Sequence, residues 1–93
     1  IVAIWRDWHP LPQQLNLPTA PHSPIVVRPE PDRPQTRLDR DAGGGMAVSV
    51  GRVRSCEVLD IKFVVLGHNT VRGAAGASVL NAELMLDRKM ITV

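Results

Sequence analysis

One cysteine, Cys56, is the whole thiol inventory of this chain. An internal disulfide is therefore impossible, and nothing argues for a secreted scaffold built on cross-links. No run of about 18 apolar residues occurs and no basic-then-apolar leader, which removes the membrane-span and signal-peptide readings. Charge of one sign is scarce as well: the formal net charge is +2, with five basic and five acidic groups in residues 1–45 and six against four in residues 46–93. A nucleic-acid footprint normally shows as a clustered basic face, and this surplus is too small and too spread to make one. Metal-ligand spacing is missing too, because His9, His22 and His68 stand in no recognisable pattern among themselves or with Cys56. The expectation is a cytoplasmic protein with no metal, no membrane and no nucleic-acid partner.

What is there is an ordinary globular balance. Apolar residues make up 44% of the chain and charged residues 22%, so it should pack. At 93 residues it can form at most one small domain, burying only about 60–65% of the surface its unfolded chain exposes. A self-sufficient core would be marginal. The opening IVAIWRDW has no initiator methionine, and Val2, Trp5 and Trp8 recur at a helical interval, as on one side of a helix already under way. These features predict a piece of a longer polypeptide.

All eight prolines lie between Pro10 and Pro34. Proline fixes φ, removes an amide donor and pushes the preceding residue out of the helical basin, so this region should be extended and irregular. One short strand fits within it, at Ile25–Arg28. The stretch RPEPDRPQTRLDRDAGGG that follows reads as a charged loop without a regular element, with Arg37, Asp39, Arg40 and Asp41 pairing locally. Gly43-Gly44-Gly45 frees the backbone before the next element. From Met46 the period becomes two: Met46, Val48 and Val50 alternate with Ala47, Ser49 and Gly51, as in a half-buried strand. Asp60–Leu66 forms another, with Ile61, Phe63 and Val65 on one face and Lys62, Val64 and Leu66 on the other. Apolar side chains on both faces predict a central strand covered on both sides. Residues 55–59 suffice to join the two as an antiparallel hairpin.

The last element opens at GHNTVRGAAGASVLNAE, residues 67–83, and predicts a helix over about 70–88. Asn69 or Thr70 can cap it, since either side-chain oxygen can accept a bond from the unpaired amides of the first turn. Val71, Ala75, Val79 and Ala82, with Leu80 and Leu84 alongside, give a broad apolar stripe. Gly73, Ala74, Ala75, Gly76 and Ala77 keep the first two turns thin, at a cost of about 1 kcal/mol for each interior glycine relative to alanine. Some gain in packing or binding must offset that cost. Arg72 places a cation at the positive end of the helix dipole, a conflict that a nearby anion, a local acid or solvent would relieve.

Few of the chemical motifs stand up. Gly73-Ala-Ala-Gly76 lacks the spacing and the Lys-Ser/Thr ending of a phosphate loop. It matches the GXXG of a KH-type RNA-binding loop, but no basic cluster follows it. Close helix packing is the better reading. Cys56 and His68 lie toward opposite ends of the hairpin, and Cys56 has no evident activating partner, so a nucleophile pair is not supported.

Two long blocks carry more information than any of these motifs. PDRPQTRLDRDAGGGMAVSVGRVR, followed at the right separation by LDIKFVVLGHNTVRGAAGASVLNAE, closely resembles the C-terminal part of aspartate-semialdehyde dehydrogenase in its archaeal and fungal form. The similarity covers roughly residues 11–84, LPQQLNLPTAP included, and the tail LDRKMITV departs from it.

The resemblance implies an α/β fold with a mixed or antiparallel sheet and flanking helices, part of a glyceraldehyde-3-phosphate-dehydrogenase-like C-terminal domain. Residues 1–93 would belong to the catalytic and dimerisation domain, with the helix at about 70–88 returning to a separate dinucleotide-binding domain. It also implies reduction of aspartyl phosphate to aspartate semialdehyde with NADPH, through a thioester on a cysteine and with a histidine as acid/base. The family's cysteine and histidine match no position of this sequence, so no catalytic residue is assigned here. Asn69 is the residue it places near the nicotinamide end of NADP, with Thr70 and Gly73 lining the first turn. A homo-oligomer, dimer or tetramer, is implied as well. Malonyl-CoA reductase shares this architecture and chemistry, and a non-catalytic subunit-interface module is the alternative of another class.

Overall fold

The computed structural model describes residues 1–91. Helix α1 (Val2–Asp7) and the single turn α2 (Leu11–Gln14) precede strand β1 (Ile25–Arg28). A second short helix, α3 (Thr36–Asp39), and a tight turn at Ala42–Gly45 lead to β2 (Val48–Ser55) and β3 (Ile61–Leu66). One turn of π geometry at Val71–Ala75 then runs into α4 (Gly76–Asp87). Among the described residues no helix is long and apolar enough to cross a membrane.

The three strands form one mixed sheet in the order β1-β2-β3. β1 runs parallel to β2, with Ile25 opposite Val48 and Arg28 opposite Gly51. β3 runs antiparallel to β2, with Ser49 opposite Leu66 and Ser55 opposite Ile61. The expected strand at Ile25–Arg28, the hairpin and the mixed sheet are all present. The expected central position of the Asp60–Leu66 strand is not: β2 is central and β3 is an edge. Ser49, Val50 and Gly51 are buried, while Phe63 and Val65 keep 41% and 54% of their surface. The apolar residues on both faces of β3 therefore report contacts that these 91 described residues do not supply by themselves.

The region read as an unstructured charged loop also differs. It folds into α3 and the turn at Ala42–Gly45, where Gly43 and Gly44 take left-handed φ of 59° and 67°. Short helices of one turn give almost no periodic signal, so composition alone pointed to coil. The β2 ladder shifts register between Gly51 and Arg54, and Arg52 at the shift has φ 54°, the signature of a β-bulge.

Buried apolar side chains are few: Leu17, Met46, Ala47, Val50 and Leu80. Leu17, Met46 and Leu80 touch in one cluster, with Leu15, Ala20, Val71 and Leu84 packed around it. The core thus lies between the proline-rich segment, the start of β2 and α4. Thr19 fastens two of these together, its N–H donating to Glu83 Oε1 at 2.8 Å and its hydroxyl to Glu83 Oε2. On another side, α1 sets Trp5 edge-on against Phe63, with ring centroids 5.0 Å apart. The radius of gyration is 15.0 Å, against about 12 Å for a compact domain of this length. An elongated shape and a thin core agree with the marginal self-sufficiency expected from length.

The apolar stripe of the last helix is narrower than its sequence suggests. Val71, Leu80 and Leu84 face the core, whereas Ala75, Val79 and Ala82 are exposed. A helix that is apolar nearly all round offers no unique inward face, and tertiary contacts chose one of several.

Candidate functional site

The corner between β3 and α4 collects the residues singled out for cofactor contact. Thr36, Arg40, Leu66, Gly67, His68 and Asn69 line a cleft of about 410 Å³. Asn69, Thr70 and Gly73 are all exposed, but of the three Asn69 alone lines the cleft. Asn69 is on the cleft wall; Thr70 and Gly73 follow in the first turn of the helix.

The cap of this helix is a residue that the sequence reading passed over. Neither Asn69 nor Thr70 caps it with a side chain. Instead His68 Nδ1 accepts from the Thr70 N–H at 3.3 Å and the Val71 N–H at 3.1 Å, with Thr70 Oγ1 at 3.2 Å. Those amides lie two and three residues on, the pattern of an N-cap side chain. Imidazole is not among the usual capping groups, which is why spacing alone directed attention to the asparagine and threonine. His68 Nε2 lies 4.0 Å from Asp41 Oδ1.

The helix starts with a wide turn. Gly73 N–H donates to the His68 carbonyl at 2.9 Å and Ala75 N–H to the Thr70 carbonyl at 3.0 Å, each reaching back five residues, as in a π-turn. Its two glycines have different surroundings. A Cβ at Gly76 would overlap Met46 Sδ and lie 2.7 Å from the Val71 carbonyl oxygen, whereas at Gly73 the nearest atom would be the His68 carbonyl oxygen at 3.5 Å. Gly45, with φ 85°, lets Val71 approach: its Cβ would lie 3.1 Å from that of Val71. Close packing thus explains Gly76, as the sequence predicted for the motif, but leaves Gly73 open to the surface. Arg72 forms no ion pair among the described residues.

The charges of the α3 region pair, but not as read. Asp39 is 4% exposed and is held by Arg33, with Nε to Oδ2 at 2.8 Å and Nη2 to Oδ1 at 2.6 Å. The Gln35 N–H adds a third bond at 2.8 Å, and Arg28 Nε stands 3.6 Å from Oδ1. The Arg33 hydrogen bonds hold the Asp39 carboxyl at a pKa of about 2, against the opposing effect of burial. Only Arg40 and Asp41 pair locally as expected, at 3.6 Å and in solvent. This cluster sits against the middle of β2, where Gly51 admits the Arg33 carbonyl and the Pro34 ring.

Two other features do not join the site. A larger cleft of about 570 Å³ lies between α1, the end of β1 and the β2 bulge, lined by Arg6, Arg28, Glu30, Arg52 and Arg54. It contains none of the residues expected to meet a cofactor. Cys56 closes the hairpin turn, its thiol lowered from the usual range by the N–H groups of Leu59 and Val58. It and His68 lie beyond opposite ends of the six-residue β3, about 20 Å of strand, so they form no pair. Among the described residues no group of His, Cys, Asp and Glu could hold a metal ion.

Comparison with known proteins gives a consistent answer. The semialdehyde dehydrogenase dimerisation-domain family matches residues 12–72, from α2 to the first residues of the terminal helix. An aspartate-semialdehyde dehydrogenase of Archaeoglobus fulgidus is 65% identical over 77 residues, 83% of this chain and 22% of its own length. Its counterpart in Methanothermobacter thermautotrophicus is 60% identical over 81% of this chain and 22% of its own length. The crystal structure of aspartate semialdehyde dehydrogenase with NADP from Candida albicans superposes with a TM-score of 0.85 at 46% identity, over 97% of this chain and 25% of that one. The chain therefore spans about a quarter or less of the proteins it matches. The resemblance read from the two sequence blocks is borne out, and the chain belongs to the semialdehyde dehydrogenase dimerisation-domain family.

Proposed function

We propose that this chain is the dimerisation-domain portion of an NADP-dependent aspartate-semialdehyde dehydrogenase, the enzyme that reduces aspartyl phosphate to aspartate semialdehyde. High identity to relatives bearing that name supports this reading over malonyl-CoA reductase. In the proposal the residues from Asn69 onward face a cofactor domain, and Asn69 meets the carboxamide end of NADP. The observation that carries the site is local: an exposed amide stands on the wall of a cleft, beside a helix start where Gly73 leaves open space.

That arrangement fits the group. A side-chain amide presents both a donor and an acceptor, so it can match a carboxamide and fix which face of the ring turns inward. When bound, NADPH supplies the hydride. Asn69 orients, and Gly73 allows close approach by having no side chain. The nucleophile and the acid/base belong to other segments of the parent, and the isolated 93-residue chain is accordingly inactive. Phosphate-dependent reduction of NADP with aspartate semialdehyde by the isolated chain would refute that.

The parent associates with a second copy through this domain. The open edge of β3, with Phe63 and Val65 half exposed and Val58 and Leu59 more so in the adjoining turn, supplies apolar surface for such a contact. Replacing Asn69 by Ala in the intact parent separates the two roles. A cofactor role raises KM for NADPH about tenfold, the loss of one well-placed hydrogen bond or slightly more, and leaves assembly intact. A role in the subunit interface gives the reverse.

A further inference from the structure

We propose that His68, acting as a neutral imidazole with its proton on Nε2, is the positioning residue of the cofactor corner: it holds the first turn of the terminal helix, and with it Asn69, in place. The inference rests on the reading that Asn69 meets NADP, and goes beyond it by naming what fixes that amide.

The geometry admits one protonation state. Two backbone N–H groups point at Nδ1, at 3.1 and 3.3 Å. A nitrogen that accepts from amides carries no proton, so the ring proton must be on Nε2. Asp41 Oδ1, 4.0 Å from Nε2, faces that proton. The other charged group along this wall is Arg40, which lines the same cleft and lies 3.6 Å from Asp41. The Thr70 hydroxyl can donate to the same Nδ1 at 3.2 Å.

Those two amides are among the donors that a helix start leaves unpaired. The turn they begin is of π type and carries Gly73, Ala74 and Ala75, so beyond Val71 it has little side-chain bulk of its own to define it. One further bond runs from the same residue, the His68 carbonyl accepting from Gly73. His68 therefore brackets Asn69 from both its ring and its backbone. Without the Nδ1 acceptor both N–H groups would lose their partner at the helix start, and the amide at position 69 would lose its fixed direction.

The test uses the intact parent enzyme with two variants, hydrogen exchange of the peptide spanning residues 66–75, and NADPH kinetics. His68→Ala should lower amide protection at Thr70 and Val71 and raise KM for NADPH by about five- to tenfold at neutral pH, the usual consequence of losing a cap. His68→Asn, whose side-chain oxygen can accept from the same amides, should restore most of both. Unchanged protection in His68→Ala, or failure of His68→Asn to restore any of it, overturns the proposal. Loss of protection without any change in KM, in His68→Ala and Asn69→Ala alike, upholds the cap and overturns the cofactor reading instead.

Discussion

Asp39 and His68 perform the same local task under opposite conditions. Each turns a side-chain acceptor toward backbone N–H groups at the start of a helical turn: Asp39 accepts from Gln35, and His68 from Thr70 and Val71. Asp39 is sealed, 4% exposed and clamped by Arg33 with Arg28 behind it. His68 is half-buried, uncharged as an acceptor, and looks into an open cleft. A sealed ionic joint is costly to disturb because its partners cannot be rehydrated in place. An open neutral cap costs less to lose, and what it controls is local order. The joint should therefore govern whether the domain folds, and the corner how it binds.

The strongest way to break this contrast is at Gly51, the residue that lets the sealed side close. A Cβ there would overlap the Arg33 carbonyl oxygen and lie 2.8 Å from Pro34 Cδ, and neither group belongs to a flexible side chain. Gly51→Ala should destabilise the parent enzyme by about 3 kcal/mol or more, measured as a fall in the thermal midpoint. Next in size is Asp39→Asn, which leaves Arg33 without its counter-charge. We expect a loss of about 2–3 kcal/mol, at or just below the usual range of about 3–5 kcal/mol for a broken buried pair because Arg33 is partly solvated.

The same carboxylate should set the acid sensitivity of the joint. Its folded pKa, about 2, lies below the ordinary 3.8. Folding therefore favours the ionised form, and the resulting contribution of about 2 kcal/mol is complete above roughly pH 5. It should disappear as pH falls from 3.8 toward 2, and the wild-type unfolding profile should lose its slope there in Asp39→Asn.

Two glycines sharpen the comparison at smaller scale. Gly76→Ala pushes a methyl into Met46 Sδ and the Val71 carbonyl; a loss of about 1–2 kcal/mol is expected, partly relieved because the thioether can move. Gly73→Ala meets no obstacle nearer than 3.5 Å, so it should raise stability by about 0.5 kcal/mol through helix propensity. In the intact parent the same methyl would narrow the approach to Asn69 and weaken NADPH binding. A variant that is more stable yet binds its coenzyme less tightly would place the corner on the functional side of the contrast. If Gly73→Ala left KM unchanged, the corner would lose that standing.

The parts legible from sequence were those with a period. Alternation marked β2 and β3, the proline block marked the extended region with its short strand, and the run of small residues marked the last helix. What escaped notice depended on three dimensions. Asp39 sits in a run of alternating charges that reads as solvated surface, and only the return of Arg28 and Arg33 to the same point makes it a buried joint. The pairing of Thr19 with Glu83 joins residues 64 positions apart. Capping preferences do not point to His68, because they rank side chains by frequency, whereas here the turn brings an imidazole nitrogen to the amides. Apolar residues on both faces of β3 suggest a central strand only if one chain's interior must cover them. The proposed cofactor contacts at Asn69, Thr70 and Gly73 rest on likeness between long blocks; no local pattern marks them.

Among the described residues, strand β2 lies between the other two strands of the sheet, parallel to one and antiparallel to the other. Its entry, just after Met46, abuts the slender helix, and its Gly51 abuts the ionic joint. The molecule thus has a single mast carrying rigging at two heights. A proline at a ladder position such as Val50 would slacken both at once, so loss of coenzyme affinity after a change in this strand says nothing about which end was struck.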